Sequence, residues 1–334
     1  MSRVMQSGFM GLFSVLIGLG ILTADEPSWP KVDVAISYRV DPDWPQRPEG
    51  MRWADMAGIA VDAHDNVYCF TRTDPPVQVF DREGRFLRAW GRDLIKSAHH
   101  LKIDREGNVW TTDVEWHLVR KFTPEGKLLL TLGTPQVAGS DERHFNMPTD
   151  VAFASNGDVF VADGYGNARI VHFDKDGKFI KQWGELGSRP GQFSIPHAIA
   201  IDSKDRIYVA DRNNVRIQVF DTSGKLLDVW NNLVTPWGLW MLPNDELWVC
   251  GSSPMTWRPE DSTLGVPPKD QLFMRFNSQG KLLQLWTVPK GIDGLERPGE
   301  LNWVHCIAVD SQGNLYAGDI RGKRAQKFRR IVPQ

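Results

Sequence analysis

Residues 149–184, TDVAFASNGDVFVADGYGNARIVHFDKDGKFIKQWG, hold four short apolar segments separated by polar turns. Gly157 and Gly177 stand where tight reversals need a positive φ. The segments VAF, VFVAD, RIVHF and KFIKQW alternate or run apolar over strand length. The stretch therefore predicts a meander of four antiparallel strands.

The same unit recurs along the whole chain. Its first half reappears as AGIAVDAHDNVYCF from Ala57, HHLKIDREGNVWTTD from His99 and HAIAIDSKDRIYVAD from His197. WGLWMLPNDELWVC from Trp237 and HCIAVDSQGNLYAGD from His305 bring the count to six. The second half recurs as VQVFDREGRFLRAWG from Val77, LVRKFTPEGKLLLTLG from Leu118, RIQVFDTSGKLLDVWN from Arg216 and LFMRFNSQGKLLQLWT from Leu272. Six units of four short strands are the signature of an all-β, six-bladed β-propeller, here with repeats of the NHL type. Trp90, Trp183, Trp230 and Trp286 fall at one position near the end of the last strand and read as packing between blades. The sixth unit stops at AQKFRR without a closing strand. The early segment Val32 to Val40 can supply it, which spares the ring an unpaired edge. The fifth unit carries a Pro- and Ser-rich insertion from about Ser252 to Asp270, expected as a surface loop over one channel mouth.

Composition narrows the class. With 41% hydrophobic residues the 334-residue chain can bury a large core, and a formal charge of −2 argues against nucleic-acid binding. Residues 1–24 read as a signal peptide: Arg3 is the only charge before Asp25, and Gly8 to Leu22 are free of charge. The expected location is secreted or periplasmic, with no membrane contact beyond that segment. Residues 25–334 are expected as one propeller domain, as a monomer. Cys69, Cys250 and Cys306 are odd in number and far apart, so neither a disulfide framework nor a cysteine metal site is expected.

Superposing the repeats exposes a site. Five residues before the Asp that ends each first strand, or its equivalent, stand Ala57, His99, Thr149, His197, Trp237 and His305. Histidine occupies alternate blades only, a third of a turn apart, at a position that lines the channel. Three of only eight histidines in that pattern are not expected of chance. Three converging imidazoles suit a metal with an open coordination position, zinc before copper, iron or nickel. His64, His100, His117, His144 and His172 show no such pattern and are expected at the surface or in packing. At the end of each second strand, Arg72, Val114, Gly164, Arg212 and Ile320 are equivalent, with Tyr165 one step beyond. Arg72 and Arg212 would face the channel and suit a carboxylate-bearing substrate. Salt bridges between blades are the other reading of these arginines.

From about Gly58 to Phe328 the chain resembles the peptidyl-α-hydroxyglycine α-amidating lyases, most densely in HFNMPTDVAFASNGDVFVADGYGNARIVHF and RPGQFSIPHAIAID. The resemblance implies zinc on His99, His197 and His305, and catalytic roles for Tyr165, Arg72 and Arg212. It implies a lyase that cleaves the C–N bond of an N-acyl- or peptidyl-α-hydroxyglycine to an amide and glyoxylate. Departures accompany it. Where the family has an Asp that helps hold structural calcium, this chain has Cys306, so calcium is not expected. The family's half-cystines fall on Asn146, Gly166, Tyr208 and Val219, so its disulfides are not expected either. Two other functions compete: a non-enzymatic propeller that binds a partner, and a metal-dependent propeller hydrolase or lactonase. The latter usually prefers acidic calcium ligands to imidazoles.

Overall fold

The computed structural model describes residues 37–231, 233–253 and 270–331. The expected signal segment, residues 32–36 of the closing segment and most of the fifth-blade insertion lie outside them. Among the described residues no helix is long and apolar enough to cross a membrane.

Each repeat forms one sheet of four antiparallel strands, giving six blades. Five are continuous in sequence, at 56–90, 98–132, 150–183, 196–231 and 235–287. The sixth joins the two ends of the described chain: Val304–Val309, Leu315–Asp319 and Arg324–Ile331 are completed by Ser37–Asp41. That closing strand pairs from Ser37 with Ile331 to Asp41 with Lys327. Its described part thus runs one residue past the Val40 expected from the sequence.

The recurrent tryptophans work as the repeat suggested. A Cβ on Gly126 would lie 2.6 Å from Trp90, on Gly224 2.9 Å from Trp183, and on Gly280 2.6 Å from Trp230. The last hairpin of each of these blades therefore lies flat on the indole of the blade before it. Glycine is required there for contact as well as for its positive φ. Trp44, just after the closing strand, meets Gly84 in the same way, so the joint between chain ends copies the joints between blades. Trp286 instead stacks on Tyr38 at 5.0 Å and on Phe273 at 4.3 Å.

A second clasp lies on the face away from the histidines. In three blades the first turn has Asp rather than Gly at positive φ: Asp65, Asp205 and Asp245. Each carboxylate accepts hydrogen bonds from the backbone and hydroxyl of a serine on the preceding blade, Ser311, Ser155 and Ser203 respectively. Asp tolerates the left-handed conformation, and its side chain ties neighbours together.

All three cysteines are free and buried, and burial pushes their thiols up. The half-cystine positions of the resembling family hold no disulfide, as expected from the sequence. Neither dithiothreitol nor the addition or removal of calcium is expected to move the melting temperature. A large fall with either treatment would show that a covalent or calcium staple had been overlooked.

Candidate metal centre

Five of the six inner strands break register at the same place. The irregularity falls at Ala57, at His99–His100, at His197, at Trp237 and at His305. A bulge unpairs a residue from the ladder and re-aims its side chain. Here it turns the ring position toward the channel axis. In the remaining blade Thr149 precedes the strand, and its N–H donates to Ala162 O.

Backbone carbonyls at the ring positions of the other three blades complete the site. His99 Nδ1 lies 2.6 Å from Thr149 O, His197 Nδ1 2.6 Å from Trp237 O, and His305 Nδ1 2.7 Å from Ala57 O. A carbonyl only accepts, so each Nδ1 carries the hydrogen and each Nε2 keeps its lone pair. The three blades without histidine thus orient the histidines of the other three. This is the outer-shell arrangement that fixes ring orientation at metal sites.

The three imidazoles are buried, and their ligand nitrogens lie within 4.8 Å of one another. Burial keeps them neutral. His305 falls to about 3, and His99 and His197 fall well below the usual value, with repulsion from neighbouring imidazoles adding to the burial. Neutral, pre-oriented and convergent nitrogens fit a divalent cation of the transition series, and the set could hold one.

Tyr165 sits over the ring. Its hydroxyl lies 3.0 Å from His99 Nε2 and 3.0 Å from His197 Nε2, so a ligand of those nitrogens would be next to it. Burial pushes the phenol up, while Arg212 and then Arg72 pull it back. Arg212 hydrogen-bonds Tyr165 and lies 4.1 Å over the Trp237 ring. Its Nε is buried without a partner among the described residues. Arg72 pairs with Asp55 at 3.1 Å within its own blade, and its Nε donates to Ala98 O of the next. Arg72 thus makes a salt bridge, but within its own blade and not between blades; its charge also acts on His99 and His305.

The hydrogen-bond register corrects one alignment. Arg72 N donates to Asp55 O and Arg212 N to Ile195 O, each two residues before its ring position. In blade three the matching bond comes from Tyr165, to Met147 O, and not from Gly164. Gly164 is an extra residue, squeezed so close to Pro196 O that a Cβ would lie 2.1 Å away. Tyr165 therefore shares the structural position of the two arginines.

His100 is a second correction. Expected at the surface or in ordinary packing, it is 3% exposed and lies in the channel, its Nδ1 2.9 Å from His99 Nδ1 and 3.1 Å from Thr149 O. Its Nε2 has no partner among the described residues. The doubled bulge of blade two puts it there, and the repeat pattern carries no signal of that. The other histidines behave as expected. His172 stacks on Phe160 and bonds Asp158, and His144 bonds Asp141.

A family model described as "6-bladed beta-propeller" matches residues 139–237. Among curated proteins, rat peptidylglycine alpha-amidating monooxygenase is 41% identical over 192 residues, 48% of this chain and 20% of the rat protein. Human NHL repeat-containing protein 3 is 37% identical over 193 residues, 54% of this chain and 55% of that one. The probable peptidyl-alpha-hydroxyglycine alpha-amidating lyase of Caenorhabditis elegans is 39% identical over 142 residues, 41% of each chain. The match thus spans a fifth of the rat relative and about half or less of the others. Among solved structures, a streptogramin B lyase superposes with a TM-score of 0.59 at 15% identity, covering 88% of this chain and 98% of its own. That likeness shows the fold alone.

Proposed function

We propose, from the premise that this chain is a homologue of the peptidyl-α-hydroxyglycine α-amidating lyases, that it is a zinc-dependent carbon–nitrogen lyase acting on N-acyl- or peptidyl-α-hydroxyglycines. The observation that carries the reading is the meeting of three neutral, carbonyl-oriented imidazoles with a half-buried phenol and a half-buried guanidinium. His99, His197 and His305 would hold the cation. When bound, it supplies a Lewis acid that favours ionisation of the substrate hydroxyl.

Tyr165 Oη is the base in this reading. Burial opposes its ionisation, whereas Arg212 and then Arg72 favour it. The proton leaves the α-hydroxyl for Tyr165, the C–O bond gains double-bond character, and the C–N bond breaks. Tyr165 returns the proton to the departing amide nitrogen. The products are the amide and glyoxylate, and atoms balance without a further reactant. Arg212, with its unpartnered Nε, and Arg72 would hold the substrate carboxylate.

The test is glyoxylate release from N-benzoyl-α-hydroxyglycine by zinc-loaded protein. Release is expected with the free carboxylate and is expected to fall sharply with its methyl ester. Arg212→Lys keeps the charge but loses the fork, so kcat/KM should fall roughly tenfold or more, a charge-assisted hydrogen bond being worth about 1.5–3 kcal/mol. A fully metallated wild type that gives no glyoxylate above background with several acyl groups would overturn the reading.

A further inference from the structure

Beside the metal centre, between blades one and two, lies a groove of about 540 Å³. It is lined from three loops at the metal end of these blades, 72–76, 91–97 and 114–117, and from the strand ends next to them. Arg72 belongs to both the groove and the metal centre. Its Nε donates to O of Ala98, the groove residue that precedes His99.

The lining carries no net charge, because Arg72 and Lys96 are balanced by Asp74 and Asp93. Three of these four are already engaged: Arg72 with Asp55 at 3.1 Å, Asp74 with Arg92 at 2.6 Å and Lys96 with Glu115 at 4.0 Å. Asp93 is exposed, so water and salt screen it. Pro76, Ile95, Ala98 and Trp116 add apolar surface, with two threonines between. Such a lining suits a neutral, apolar group.

The groove is also preformed. Asp113, buried at the end of the second strand of blade two, accepts hydrogen bonds from both of its sides. Lys96 N and Ser97 N donate at 2.7 and 3.1 Å, Glu115 N and Trp116 N at 3.1 and 3.0 Å. Arg120 lies 5.1 Å over the Trp116 ring and donates to Leu94 O, a second tie between the same two loops. Little ordering is left for a ligand to impose.

We propose that this groove receives the side chain of the residue that precedes the α-hydroxyglycine, and that it selects a large, apolar and preferably aromatic one. The proposal rests on the lyase reading. There the substrate hydroxyl takes the metal and the carboxylate the arginines, so the acyl side is the part left to fill the space beside Arg72.

The test compares kcat/KM for glyoxylate release by zinc-loaded protein from N-acetylphenylalanyl- and N-acetylalanyl-α-hydroxyglycine. The phenylalanyl substrate is expected to be better by about tenfold or more, the lower end of what burial of an aromatic side chain gives. Lysyl and aspartyl substrates should be no better than alanyl. Trp116→Ala and Ile95→Ala should each lower the preference at least threefold and leave the alanyl substrate unchanged. Trp116→Ala keeps the N–H that Asp113 binds, and its melting temperature checks the fold. Calorimetry with the unreactive N-acetylphenylalanylglycine and N-acetylalanylglycine repeats the comparison without turnover. The same preference there, with no glyoxylate from either substrate, would support the groove and sink the lyase reading. Equal kcat/KM for the two substrates, unchanged in Trp116→Ala, would overturn the groove and leave the lyase reading intact. A preference for the lysyl substrate would overturn it as well. So would loss of the preference in Trp303→Ala with survival in Trp116→Ala, which would place the side chain against Trp237 and Trp303, whose rings lie 4.7 Å apart.

Discussion

Tyr165→Phe is expected to lower turnover by about 10²–10⁴-fold while metal content and melting temperature stay as in the wild type. That range is what a positioned general base typically contributes. The substitution removes one oxygen and keeps the ring, whose edge packs on His99 and His197 at centroid distances of 5.0 and 5.6 Å. The lost atom is the one within 3.0 Å of two ligand nitrogens. Because Tyr165 stands at the position of the arginines in the hydrogen-bond register, its backbone placement does not depend on that oxygen. Steady-state glyoxylate assays on metal-matched protein measure the effect. A fall of less than threefold would remove Tyr165 from the proton transfer and shift attention to other groups at the mouth.

His197→Ala should abolish tight metal binding and with it all activity, leaving a β-rich fold. Loss of an outer-shell partner alone typically costs about 10–100-fold in metal affinity, and a lost ligand should cost more. The fold should survive, because His197 holds no blade joint of the kind made by Trp90 on Gly126 or Ser203 on Asp245. Its removal leaves Trp237 O without its side-chain donor, a local cost that circular dichroism should not register. The same substitution at His172, which is buried between Phe160 and Asp158, is the control: it should cost stability and leave metal content untouched.

Much of this site could be seen in the sequence, for a definite reason. In a propeller, equivalent residues of successive repeats lie on one ring, so three histidines in alternate repeats translate directly into convergence. The same logic located Arg72 and Arg212 at the channel mouth. It failed where the count of residues per repeat is not constant. Gly164 is an inserted residue that the hydrogen-bond register and the close approach to Pro196 O reveal, so Tyr165 read as offset from the arginines when it shares their position. His100 was missed because the bulge of blade two takes up two residues, His99 and His100, where four of the other blades bulge at one. The carbonyls of Ala57, Thr149 and Trp237 were also out of reach, since every residue has a carbonyl and only the local strand geometry decides which one meets an imidazole.

The most direct measurement is the metal content of protein purified without chelators. One tightly held divalent ion per chain is expected in the wild type, zinc foremost, with none in His197→Ala. Wild-type protein that is metal-free as purified and takes up no zinc, cobalt or copper on reconstitution would contradict the account, because the convergence of His99, His197 and His305 would then serve no ion at all.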